Sequence, residues 1–215
     1  MSTTITAGNA TNGLAFSADG TGILELKTGT GSGTTALSLD TSQNATFAGT
    51  VTSSTGALYP LVSGTAVAST SGTSVTFTGI PSTAKRITVM LNGVSGSGTS
   101  VPLIQIGSGS ITATSYSSTG LTTATSTLNS TTYTTGFGLA QNSPAAAAYT
   151  GLITLVLISG NTWVGNGSGQ SIGGNSTWAT FGFSPALGGV LDRVRITTVN
   201  GTDTFDAGTI NILWE

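Results

Sequence analysis

The chain has 215 residues, a net charge of −2, and charged side chains at only 6% of positions, against roughly 25% in ordinary soluble domains. So few cations give neither nucleic acid nor an anionic membrane an electrostatic reason to bind. With no Cys and no His, disulfide frameworks, thiolate metal sites and the commonest general base are excluded.

Glycine, at 32 residues, occurs at about twice its usual share, and Ser and Thr are abundant. Both features disfavour helices: Ser and Thr compete for backbone hydrogen bonds, and Gly costs backbone entropy. Thr, branched at its β-carbon, suits a pleated surface. The composition therefore predicts an all-β protein. The N-terminus, MSTTITAGNA, has neither a basic start nor an apolar centre, so no secretory leader is expected. The longest strongly apolar run, residues 152–158, is far too short to span a bilayer.

Along the chain, residues 2–62 hold only 14 large apolar side chains, and residues 63–215 hold 44. The first part writes three small apolar islands, ILEL at 23–26, LSL at 37–39 and FAGTV at 47–51, in a background of Gly, Ser, Thr and Asn. Each island reads as a short strand with too little around it to bury. Residues 1–62 are therefore expected to be extended β segments used for attachment and oligomerisation. Leu24, Leu26, Leu37, Leu39 and Phe47 are the side chains expected to meet other chains. Residues 63–74, containing SGTAVASTSG, read as a flexible linker.

Residues 75–215 read as a packed head domain of about eight strands. In VTFTG, Val75 and Phe77 share a face. In KRITVMLNG, Ile87, Val89 and Leu91 face in, and Arg86, Thr88 and Asn92 face out. VPLIQIG follows, its Pro102 arguing for an edge or strand-start position. LITLVLIS is apolar on both faces, so it is either central or at a subunit contact. NTWVGNG returns after a Ser159-Gly160 turn signal. STWATFGF, VLDRVRITTV and GTINILWE complete the set, with Ile210, Ile212 and Trp214 aligned. Antiparallel strands of this length predict a two-sheet β-sandwich with jelly-roll topology.

The residues that carry chemistry are few. Without Cys or His, nucleophile–imidazole pairs cannot form, so the expectation is no catalytic residue, no cofactor and no enzyme. Asp203 and Asp206, the only acidic residues close in sequence, admit two readings. One is a Ca²⁺ ligand set, with hard oxygen donors. The other is a turn entering the last strand, and no metal site is assigned. GTGSG at 29–33 and GNGSG at 165–169 lack the Lys-Ser/Thr ending of a phosphate loop and read as turns. Asn161, Trp163 and Asn166 admit a glycan-contact reading, with an indole face and flanking amides. The plainer reading puts Trp163 in the core of a hairpin. Arg193 and Arg195 read as an outward strand face, either solvated or paired with a neighbour's acids.

Residues 77–100, FTGIPSTAKRITVMLNGVSGSGTS, and 193–215, RVRITTVNGTDTFDAGTINILWE, resemble a module of virion fibre and appendage proteins of tailed bacteriophages. The stretch ILELKTGTGSGTTALSLDTSQNATFAGTV resembles the segments that precede such modules. The resemblance implies a virion structural protein, assembled in the host cytoplasm and commonly homotrimeric. Its N-terminal part would attach to other virion proteins (capsid, portal or adaptor, or tail), leaving a β head exposed to host-surface glycans. The short chain and small shaft favour a small appendage, on head or tail, or a capsid decoration. A capsid decoration protein that stabilises the shell is the alternative, and a carbohydrate-binding module a second one. No membrane insertion is implied.

Overall fold

The computed structural model describes residues 22–29, 33–53, 56–57, 59–124, 127–145, 147–173 and 176–215. These residues are all-β, and no helix occurs among them. The chain divides into two units, residues 1–59 and 60–215.

The first unit contains β1 (Leu24–Thr28), β2 (Thr34–Leu39) and β3 (Ala45–Phe47), joined as an antiparallel meander. A two-stranded ribbon follows, β4 (Thr52–Ser53) with β5 (Gly56–Ala57). The β2–β3 connection is locked by Asp40. Its carboxylate accepts from the backbone N–H groups of Ser42 and Asn44 and from the Asn44 side-chain amide, each at 2.9 Å. An Asp that bonds its own backbone downstream is a specific turn device, and here it lets Gln43 take a positive φ of 67°.

The second unit contains β6 (Val62–Ser63), β7 (Val67–Ala68), β8 (Val75–Thr78), β9 (Arg86–Gly96), β10 (Pro102–Ser108), β11 (Ser110–Ile111) and β12 (Ser117–Ala124). It continues with β13 (Thr127–Tyr133), β14 (Phe137–Gly138), β15 (Ala148–Ser159), β16 (Thr162–Ile172), β17 (Ser176–Phe183), β18 (Arg193–Thr198) and β19 (Phe205–Trp214). The larger sheet runs β13-β12-β17-β16-β15-β9-β19-β6, with β7 also on β19. The smaller runs β11-β10-β18-β8, with β14 also on β10. Every pairing is antiparallel.

The two sheets bury their inner faces in one core, which makes the unit a β-sandwich. Ile104, Ile106, Val194 and Ile196 come from the smaller sheet; Val89, Ile153, Leu155 and Ile212 come from the larger. The alternation expected for β9 is present, with Ile87, Val89 and Leu91 buried between partly exposed neighbours. Pro102 opens β10, where its missing N–H costs least. β15 is central, between β16 and β9.

Three expectations need correction. The strands of residues 75–215 exceed the expected eight, because β12 and β13 are Ser/Thr-rich and carry few apolar markers. The stretch 63–74 is not free of the sandwich. Ser63 and Val62 pair with Leu213 and Trp214, Ser69 is fully buried, and its hydroxyl donates to the Ala207 carbonyl at 2.9 Å. Main-chain pairing needs no apolar side chain, so a stretch of small residues can be an ordered edge. Finally, GNGSG is strand, not turn. It lies within β16, where Gly165, Gly167 and Gly169 face inward. A Cβ at Gly165 would stand 2.7 Å from Leu155, and one at Gly169 2.6 Å from the Trp178 ring. The glycines let large side chains of the core rest directly on backbone.

Candidate assembly surface

The five apolar residues singled out in the first unit fall on one face of its three-stranded sheet. Leu24 opposes Leu39, Leu26 opposes Leu37, and Leu37 opposes Phe47. Directly opposed residues lie on the same side of a sheet, so Leu24, Leu26, Leu37, Leu39 and Phe47 form one apolar surface. The reverse face is polar. There Glu25 pairs with Lys27 at 3.0 Å and accepts from the Thr35 hydroxyl at 3.0 Å.

No described residue of this sheet is buried. Leu26 remains 46% exposed and Phe47 52%. The islands thus find backbone partners within their own chain, β1 with β2 and β2 with β3. Their side chains are at most partly covered, Leu24, Leu37 and Leu39 half-buried and Leu26 and Phe47 exposed. A small sheet gains stability from removing its apolar face from water, so an apolar face left partly uncovered is the property to be explained.

The sandwich carries a second apolar surface, on the outer face of its larger sheet. Val156, Val164 and Phe183 stand in one cross-strand row, and Thr154, Asn166 and Phe181 in the next. Leu152 and Phe181 are each about half exposed, and they border a shallow groove of 410 Å³. The doubly apolar pattern of LITLVLIS pointed to this: Ile153 and Leu155 enter the core, and Leu152 and Val156 do not.

The glycan-contact set does not come together. Trp163 is 2% exposed and belongs to the core. Asn166 is three residues further along the same strand, so it points to the opposite face. Asn161 lies before the strand and donates its amide to the Leu187 carbonyl at 3.4 Å. Parity along the strand was the available signal.

Asp203 lies in the loop entering the last strand, whereas Asp206 lies within that strand, β19. Asp203 accepts from the Ser100 backbone N–H at 2.9 Å and from the Asn200 amide at 2.7 Å. Asp206 accepts from the Ser95 hydroxyl. The Asn200 bond, foremost, holds the Asp203 carboxyl below its ordinary range. Among the described residues no group of three or more acidic side chains gathers as a metal site requires. Most of GTGSG, residues 30–32, lies outside the described residues.

On the outward face of β18, Arg193 is held by the neighbouring Asp192 at 2.8 and 3.1 Å. Arg195 instead reaches across to Gln105 of β10. At the chain's other cationic pair, Arg86 bridges to Glu215. No family model matches the sequence, and no curated protein or solved structure matches it either.

Proposed function

We propose that this chain is a non-enzymatic structural protein of a tailed-phage virion: a short, homotrimeric fibre or appendage. Its first unit joins the copies and attaches them to the particle, and its β-sandwich forms the exposed head. One observation carries the assembly reading. Leu24, Leu26, Leu37, Leu39 and Phe47 share one face of a sheet on which nothing is buried. An apolar face of that kind is stabilised by whatever removes it from water, at about 25 cal/mol per Å². A second copy brings an identical face, and a closed ring of copies covers each one. The resemblance of residues 77–100 and 193–215 to phage appendage modules supplies the trimeric order and the virion setting. The absence of His and Cys supports a mechanical role over a catalytic one.

Light scattering on the full-length protein tests this. A trimer is expected that persists on dilution, and Leu26→Asp or Phe47→Asp is expected to convert it to monomers with intact sandwiches. A wild-type monomer at micromolar concentration would overturn the reading.

A further inference from the structure

The smaller sheet holds a polar cavity that the assembly reading does not use. On β10 and β18, Ile104, Ile106, Val194 and Ile196 enter the shared core. By strand alternation Leu103, Gln105, Arg195 and Thr197 point to the opposite side. That side is covered in part by residues around Ala113 and Thr135. A cavity of 280 Å³ lies there, bordered by Ser74, Leu103, Gln105, Ala113, Thr135 and Arg195.

Arg195 is held in place, but its charge is not matched. Its Nε and Nη2 both donate to Gln105 Oε1, at 2.8 and 2.6 Å. Gln105 is 4% exposed, and its own amide donates to the Thr135 carbonyl at 2.7 Å. The amide orientation is therefore fixed, and it fixes the guanidinium in turn. A guanidinium has five N–H donors, and here the edge bearing Nη1 has no protein acceptor among the described residues. Lys27, Arg86 and Arg193 all face carboxylates. Arg195 forms no ion pair among the described residues, and a neutral amide oxygen meets its charge. Ser74 and Thr135 border the same space, and neither hydroxyl donates to a protein group among the described residues. Ala113, partly exposed, adds a small apolar patch, while Leu103 at the border is itself buried.

We propose that this cavity binds a small polyhydroxylated molecule bearing a carboxylate, the chemistry of an acidic sugar. The free edge of Arg195 takes the carboxylate in the two-pronged geometry that guanidinium favours. The Ser74 and Thr135 hydroxyls engage ring hydroxyls, and the apolar patch meets the ring's C–H face. The volume lies near the lower end of the usual range for ligand pockets, ~300–1,000 Å³, which suits a single ring. This site is independent of the oligomeric state and shares no residue with Asn161, Trp163 or Asn166.

Titration of the full-length protein with D-glucuronate, followed by calorimetry and by amide NMR shifts, tests the proposal. D-glucose supplies the hydroxyls without the charge, acetate the charge without the hydroxyls, and inorganic phosphate a different anion. Saturable glucuronate binding is expected, with shifts centred on residues 73–74, 105, 135 and 195–201. Glucose, acetate and phosphate are each expected to bind at least about tenfold more weakly. R195Q is expected to lose roughly tenfold or more, as removal of a charge-assisted hydrogen bond does, with its circular dichroism unchanged. Should R195Q not fold, R195K keeps the charge but removes the fork, and a severalfold loss is expected. No saturable binding, shifts outside the cavity, glucose or phosphate matching glucuronate, or undiminished binding in the folded variant would each overturn it.

Discussion

The two units are written in the same alternating code and end in opposite states. In the first, Leu24 and Leu26 on β1 face Leu39 and Leu37 on β2, and the apolar side they make stays partly open to water, none of it buried. In the second, Val89 and Leu91 on β9 follow the same two-residue period and are buried. The strand pattern does not differ. What differs is the second layer: the sandwich supplies Ile104, Ile106, Val194 and Ile196 against its larger sheet, whereas no described residue is buried in the first unit's sheet. Alternation decides which side of a sheet is apolar. A packed partner decides whether that side becomes a core or an interface.

Truncating a side chain of the core should break the comparison most severely. Trp178 is almost fully buried and packs against Tyr149. Trp178→Ala should destabilise the sandwich by about 3–5 kcal/mol, measured by urea unfolding.

Alkali should come next. Burial pushes the Tyr116 and Tyr133 hydroxyls up to about 12 from an ordinary 10. The neutral rings are favoured by the fold, so the stability they contribute is fully present below pH 10 and is lost as pH rises from 10 to 12. Unfolding midpoints of the sandwich should fall across that window. Tyr116→Phe should flatten the fall, at a cost of about 1–3 kcal/mol near neutrality, because Ile106 N–H loses its 2.9 Å acceptor inside the protein. An unfolding midpoint that stays constant from pH 9 to 12 contradicts this account.

A change in the first unit should barely register by the same measure. Phe47→Ser should leave the unfolding free energy of the sandwich within about 0.5 kcal/mol, as exposed substitutions do. A larger shift would mean that the apolar face supports the sandwich itself.

The smallest effect is expected in acid. Asp40 is held below its ordinary 3.8, first by the Asn44 side-chain amide. A carboxylate lowered in this way contributes stability above that value and loses it as pH falls through the folded pKa. Below pH 3.8 the β2–β3 turn should loosen, seen as faster exchange of the Ser42 and Asn44 amides. Asp40→Asn should show less of that dependence, while Asp203 leaves a similar acid response in the sandwich.

Much of this architecture was legible because it is local. Residues two apart share a face, which was enough to sort Ile87, Val89 and Leu91 from Arg86 and Thr88, and to gather Leu24 with Leu26. It also separates Trp163 from Asn166, and grouping them for a sugar passed over that rule. The glycines of β16 misled because glycine marks turns in most contexts. Here it answers a packing demand set by Leu155 and Trp178, which no local window contains. The ordered edge at β6 and β7 depends on backbone groups, which every residue type offers. The Arg195–Gln105 clamp joins positions on β18 and β10 that become neighbours only once the smaller sheet has formed.

The seat of β19 has a consequence for how quickly the protein can be made. This strand lies inside the larger sheet, and its pairings join Ile212 to Val89 and Trp214 to Val62. The β15–β16–β17 meander can close through short turns. The β19 pairings must bring together positions far apart in the chain, and topologies of this kind fold over milliseconds to seconds, not microseconds. Until residues 205–214 are in place, β9 lacks one neighbour and the core beneath it stays open. With charge at only 6% of positions, little electrostatic repulsion keeps such half-built chains apart, and exposed strand edges favour aggregation. The yield of assembled protein is then set by a race between the docking of one strand and the meeting of two chains.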